Sequence, residues 1–193
     1  VCLKVGTPGL EINSKKTIDP TRSFSDVDWS QVSDRDFLPI GTAEINFFTD
    51  IISQSQISLA AECVGGAQKC LDMTLEYTSQ RVQFGRPIAS FQAIKHRCAD
   101  MFILIETARS AVYAAAVATK DKKTESSLIA KAYATEAFFK VAGDAIQLHG
   151  GIGFTWEYPL HLFFKRSRAN RSMFGMPSED YKLLADNIFG DKP

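Results

Sequence analysis

The sequence predicts a mostly α fold, an antiparallel up-and-down helical bundle preceded by a few β-strands, and three observations support that prediction. From Thr42 onward apolar residues recur at spacings of three, four or seven, the period of a helix with one buried face. These periodic stretches are long and their connections short, which favours neighbouring helices that run antiparallel. Residues 1–40, by contrast, are rich in Thr, Ser, Asp, Gly and Pro around short apolar runs such as VCLKV and FSDVDW, the pattern of strands joined by turns.

Composition narrows the class of function. A chain of 193 residues that is 45% hydrophobic and 23% charged can bury a core as one or two domains. Its 22 basic and 22 acidic residues cancel, so no bulk field is available to hold a nucleic-acid backbone or an anionic membrane, and any anion must be met locally. Cys2, Cys63, Cys70 and Cys98 form no C-x-x-C pair and no Cys/His cluster. No metal site is expected from them, only the reduced, buried thiols of a cytoplasmic protein. No stretch approaches the ~18 apolar residues of a membrane span, and the N-terminus lacks the basic-then-apolar pattern of an export signal.

The helices are justified in chain order. The first is expected from Thr42 to about Gln80, with Ile52, Leu59, Cys63, Val64, Ala67, Leu71, Thr74 and Leu75 on one stripe. A second is expected from Ser90 to Lys120, turning Ile94, Cys98, Met101, Ile105, Ala108, Val112 and Ala115 to the core. Its small-residue run Ala111–Ala118 suits close core packing better than a subunit contact. A third begins near Thr124, where TESS resembles an N-cap, carries Ile129, Ala132, Phe138, Val141, Ala142, Ala145 and Ile146, and stops at Gly150-Gly151. A fourth occupies Pro159–Ser172 with proline in its first turn, and a last one runs from Ser178 to Phe189.

Two connecting segments carry residues that suggest binding. In RVQFGRPIASFQ, residues 81–92, Arg81 could offer a planar fork of donors to a phosphate and Phe84 could cover an aromatic ring. On spacing alone a plainer reading is favoured, in which Arg81 caps its helix and Phe84 plugs the end of the bundle. In QLHGGIGFTWEYP, residues 147–159, paired glycines can uncover backbone amides for a ligand or simply end a helix. His149 has no carboxylate or second histidine at useful spacing and is expected to be a packed residue.

Together these segments, with RVQFGRPIASFQAIKHRCADM, QLHGGIGFTWEYPLHLFFKRSRAN and the upstream TPGLEI and TIDPTRSFSDVDW in register, resemble the C-terminal half of an acyl-CoA dehydrogenase. The resemblance covers nearly the whole chain. It implies a domain arrangement of residues 1–40 as the end of a truncated middle β-domain and 41–193 as the C-terminal bundle, the chain being a fragment. It further implies a flavoprotein of lipid metabolism and fatty acid β-oxidation. By the same resemblance Arg81, Gln83 and Phe84 reach the diphosphate and adenosine of FAD with Gln92 nearby, and Gln147, Gly150 and Gly151 meet its adenine end across a subunit interface. Acyl-CoA as substrate, an electron-transfer flavoprotein as acceptor and a homo- or hetero-oligomer follow in the same way.

The catalytic pattern is incomplete. Desaturation needs a carboxylate to take the α-proton, yet Phe174 stands at the position that the resemblance gives for that acid, in Met173-Phe174-Gly175-Met176. Ser55 stands at the family's alternative position. Glu62 lies seven residues beyond Ser55 on the same face, about 10 Å along the axis, and is expected to be solvated or ion-paired. The catalytic base is therefore unknown. Three readings stay open: a dehydrogenase whose base comes from elsewhere, a degenerate subunit that completes the FAD site of a partner, or a non-enzymatic helical module.

Overall fold

The structure is a computed structural model that describes residues 3–36 and 45–190; Thr42, Cys2 and the start expected for the first helix lie outside that range. In chain order it contains β1 (Glu11–Lys15), β2 (Phe24–Asp28), α1 (Ile45–Gln80), β3 (Val82–Gln83), β4 (Arg86–Pro87), α2 (Gln92–Ala116), α3 (Lys123–His149), α4 (Leu160–Ser172) and α5 (Pro177–Phe189). The strands form two separate antiparallel pairs, β1 with β2 and β3 with β4. FSDVDW does supply β2, whereas Leu3–Val5 of VCLKV form no strand.

The core lies between α1, α2 and α3. Gln56 of α1 meets Ser127 of α3 at a separation of 71 residues, and Tyr77 meets His149 at 72. That constant offset makes α1 and α3 parallel over their whole shared length, with α2 returning between them. At mid-length Phe138 fills the space above Gly66, where a Cβ would stand 2.5 Å from the ring. Cys63, Ala67, Cys70, Met101, Ile105, Ala108, Val141, Ala142 and Ala145 close the core around that contact. Cys63 and Cys70 are free thiols that burial pushes up to about 12, and Cys98 is half-buried, as packed reduced cysteines should be.

Several boundaries and faces differ from expectation. Helix α2 stops four residues before Lys120, because Thr119 is extended (φ −66°, ψ 159°) and starts the turn into α3. Helix α3 begins before Thr124, which caps nothing: a 3-10 turn at Lys120–Lys122 runs straight into it, and the Thr124 carbonyl accepts the Ser127 hydroxyl instead. Ile52, Leu75 and Ile129 are exposed. Ser53 and Gln56 take the inward positions at the start of α1, and Leu75 lies one residue, about 100° of helix, off the stripe that holds Thr74. The Ala111–Ala118 run is core packing only in part: Ala115 is buried and Ala111 and Val112 pack against the core, whereas Tyr113 and Val117 face outward.

The Gly66–Phe138 contact predicts opposite effects for neighbouring substitutions. Gly66→Ala collides with a ring that is 1% exposed, and a net loss of about 1 kcal/mol is expected after the gain in helix propensity. Gly65→Ala, whose Cβ meets nothing, should gain up to about 1 kcal/mol. Chemical unfolding of the two variants measures both signs.

Candidate functional site

One end of the bundle gathers both loops that the sequence singles out. Arg81 follows the last turn of α1, its amide donating to the Tyr77 carbonyl at 2.9 Å, and Tyr77 in turn stacks on His149 with centroids 4.3 Å apart. The Tyr77 hydroxyl donates to the His149 carbonyl at 3.3 Å, directly before Gly150. The parallel pairing of α1 and α3 thus brings residues 81–92 and 147–151 to the same end.

The first loop is a hairpin that the sequence did not announce. Val82 and Gln83 pair with Pro87 and Arg86, and the two turn residues Phe84 (φ 54°) and Gly85 (φ 76°) are both left-handed, as a two-residue hairpin turn demands. For phenylalanine that conformation is a strain, and it carries the ring outward, 91% exposed, with only the edge of Phe91 beside it at 6.1 Å. Phe84 therefore plugs nothing. Phe91 is held on its other side by the Arg86 guanidinium, 4.1 Å from its centroid, and Gln92 opens α2 next to it. The Arg81 side chain is exposed and makes no hydrogen bond to its own helix end; Gln83, Gln92 and Gln147 are likewise exposed and without a side-chain partner among the described residues.

The second loop is an exposed glycine turn whose first amide, that of Gly150, closes α3 by donating to the Gln147 and Ile146 carbonyls. Gly150 (φ 64°) ends α3, and a Cβ on either Gly150 or Gly151 would meet nothing within 4 Å. Gly153 differs: a Cβ there would press on the Ile146 carbonyl at 3.0 Å, so it is needed for close packing. His149 is a packed residue, 3% exposed between Tyr77 and Tyr158. Its Nδ1–H donates to the Ala145 carbonyl at 2.7 Å, Nε2 faces the Met73 carbonyl without closing a hydrogen bond, and burial lowers its pKa.

A second site lies midway along α1. Ser55 and Phe174 line one cleft of about 330 Å³, together with Gln54, Ser58, Arg22 and Glu62. Among the described residues Glu62 is the one carboxylate lining that cleft, and it is ion-paired as expected. Arg22 and Arg166 both reach it, Arg166 Nη1 at 2.8 Å, and Asn170 Nδ2 donates to it at 3.2 Å. Burial pushes the Glu62 carboxyl up, but those hydrogen bonds and the two cations outweigh it and hold the pKa below its ordinary value. A carboxylate so held is a poor base.

The same ions dock the strand segment on the bundle. Arg166 of α4 also binds Asp19 and Thr21, while Arg22 donates to Asn170 Oδ1 at 2.9 Å. Asp19 is buried; burial pushes its carboxyl up, and hydrogen bonds from Thr21 and Arg166 pull it further down. Nothing in the sequence pairs these residues, which lie about 145 positions apart.

The turn carrying Phe174 is clamped from beneath. Phe174 (φ 58°) and Gly175 (φ 101°) are both left-handed. The Gly175 carbonyl accepts from Lys131, a fully buried lysine of α3 that also pairs with Asp180 at 2.6 Å, and the Met176 amide donates to Glu179 at 2.7 Å. Burial raises the Asp180 pKa despite its lysine partner. Lys131 escaped the sequence reading, although its place inside Leu128, Ala130, Ala132 and Thr135, all buried, is the signal that could have marked it. Among the described residues no cluster of three or more His, Cys, Asp or Glu could hold a metal ion, and no helix is long and apolar enough to cross a membrane.

The family model for the acyl-CoA dehydrogenase C-terminal domain matches residues 45–183, and the chain belongs to that family of oxidoreductases. It is 37% identical over 175 residues to acyl-CoA dehydrogenase IpdE2 of Mycolicibacterium smegmatis, covering 91% of this chain and 52% of that one. Against IpdE2 of Mycobacterium tuberculosis the identity is 42% over 139 residues, or 72% and 43% of the two chains. The butyryl-CoA dehydrogenase structure from Megasphaera elsdenii superposes with a TM-score of 0.86 at 28% identity, over 96% of this chain and 50% of that one. The chain spans about half the length of the curated relatives it matches.

Two tests follow from the ion pairs. Asp19 and Glu62 have folded pKa values below their ordinary 3.8 and 4.5. The stability they contribute is fully present above those ordinary values and is lost as pH falls through the depressed ones. Hydrogen exchange in β1 and β2 should therefore accelerate, relative to α3, as pH falls below the ordinary 4.5 of Glu62 and on through the depressed values. Lys131→Met strands Asp180 and should cost about 3–5 kcal/mol, much of it recovered in Lys131→Met/Asp180→Leu; equilibrium unfolding compares them.

Proposed function

We propose that this chain is the C-terminal part of an FAD-dependent acyl-CoA dehydrogenase, residues 1–40 ending its middle β-domain and 41–193 forming its bundle. In the whole enzyme it takes part in the α,β-desaturation of an acyl-CoA thioester. The observation that carries the reading is the meeting, at one end of the bundle, of an exposed Arg81, whose side chain has no partner among the described residues, with the exposed glycine pair Gly150 and Gly151, at which a Cβ would meet nothing within 4 Å. These groups fit the tail of a dinucleotide: the guanidinium suits the diphosphate, and a glycine pair without Cβ atoms lets the adenosine come close. Phe84 supplies an aromatic face, and Gln83, Gln92 and Gln147 supply donors and acceptors with no competing partner. When bound, FAD takes up the hydride that leaves the β-carbon of the thioester. This chain's part is to hold the adenosine diphosphate portion, presented outward toward a neighbouring subunit. The exposed apolar residues Phe102, Ile103, Tyr113 and Val117 of α2 suit such a homo- or hetero-oligomer. An electron-transfer flavoprotein as acceptor and a cytoplasmic site of action belong to the same reading.

A second reading, favoured by a specific observation, is that the chain completes the FAD site of a partner that carries the base. Among the described residues the one carboxylate in the Ser55–Phe174 cleft is locked between two guanidinium groups, so none of them is poised there to take a proton.

Flavin counting separates the two. Expressed in its natural form with its genomic neighbours, the protein should bind about one FAD per chain if it is a homo-oligomeric enzyme and about one per two chains if it is a half-site subunit. Anaerobic bleaching by an acyl-CoA is expected in both cases, and no bleaching by any thioester would refute both. Arg81→Ala should weaken FAD retention roughly 10-fold or more, the worth of one charge-assisted hydrogen bond; unchanged retention would remove Arg81 from the site.

A further inference from the structure

Glu62 borders two clefts of different character. On one side is the polar cleft of Ser55, Ser58 and Phe174, about 330 Å³. On the other is an apolar cleft of about 320 Å³ walled by Gly66, Phe138, Leu162 and Phe163. Arg22 lines the first and Arg166 the second, and both hold the Glu62 carboxylate, whose two oxygens are spoken for: Oε2 by Arg22, Oε1 by Arg166 and Asn170. The side chain is thus fixed from both faces, and a charged partition stands between the two spaces.

We infer that this ion-paired partition is a specificity device that selects against long, unbranched apolar acyl chains. The inference rests on the dehydrogenase reading, which places the reacting carbons of the thioester in the cleft where Ser55 and Phe174 meet. From there the rest of the acyl group runs toward Glu62. A short acyl group, or one whose far end carries a hydroxyl, oxo or carboxylate function, stops at the partition and can exchange hydrogen bonds with Arg22 or Ser58. A long alkyl chain meets desolvated charges that it cannot satisfy, and the apolar cleft that would suit it lies beyond them.

The test compares butanoyl-, octanoyl- and dodecanoyl-CoA binding, by isothermal titration, to the flavin-loaded protein in its natural form and to variants. Glu62→Ala/Arg22→Leu opens the partition without stranding a cation, because Arg166 keeps Asp19. Glu62→Ser is a second opening variant should the first fail to fold. Glu62→Gln keeps the bulk of the wall and serves as the conservative control. The unaltered protein should prefer butanoyl-CoA, and the opening variants should gain at least about 10-fold in affinity for the longer chains relative to butanoyl-CoA, while Glu62→Gln keeps the original order. Chain-length preference that is the same in the unaltered and opened proteins, or a preference for dodecanoyl-CoA at the outset, overturns the inference and leaves the dehydrogenase reading standing. Failure of every thioester to bind any of the proteins overturns that reading itself.

Discussion

The parallel pairing of α1 and α3 is the constraint on which the rest depends. With Gln56 against Ser127, Phe138 over Gly66 and Tyr77 against His149, the two helices keep one register over about six turns. A one-turn slip would push the Phe138 ring into side chains on either side of Gly66 and would leave His149 without its aromatic partner. The same register delivers the Arg81 hairpin and the Gly150-Gly151 turn to one place. Packing in the middle of the bundle therefore decides what its end can bind.

The chemistry of the two sites contrasts sharply. At the bundle end, the side chains of Arg81, Gln83, Gln92 and Gln147 are exposed and without a partner among the described residues, the condition of groups awaiting an external partner. In the cleft at mid-bundle every charge is already matched inside the chain: Glu62 by Arg22 and Arg166, Asp19 by Arg166, Asp180 by Lys131. Truncating one member of such a set is costly because its partner is left charged and poorly solvated. The Phe174 turn keeps two left-handed residues and a buried lysine clamp with no acid to aim. A site that keeps its scaffold but shows no free base among the described residues would suit a division of labour between polypeptides.

Much of the fold was legible because α-helices announce themselves by period. The stripes of α1, α2 and α3 and the proline and glycine punctuation placed five helices to within a few residues. Errors fell where local pattern and packing diverge: Thr124 looks like a cap but sits inside α3, and the alanine run of α2 looks like core throughout but turns Tyr113 and Val117 outward. The β3–β4 hairpin was hidden because its first turn position is a phenylalanine, whereas Asn or Asp is the usual marker. At the site, the binding loops could be found by their composition. The Asp19–Arg166–Glu62–Arg22 network could not, since its members come from three distant segments and nothing local pairs them. Lys131 carried a readable signal, a lone cation in an apolar face, that the periodicity reading passed over.

The central claim is that the α1–α2 hairpin and the end of α3 together grip the adenosine diphosphate portion of FAD. Hydrogen–deuterium exchange of the flavin-loaded protein against the same protein stripped of flavin tests it most directly. The account predicts slowed exchange at residues 81–92 and 147–151, with α5 unaffected. Equal exchange in those two segments with and without flavin would contradict it.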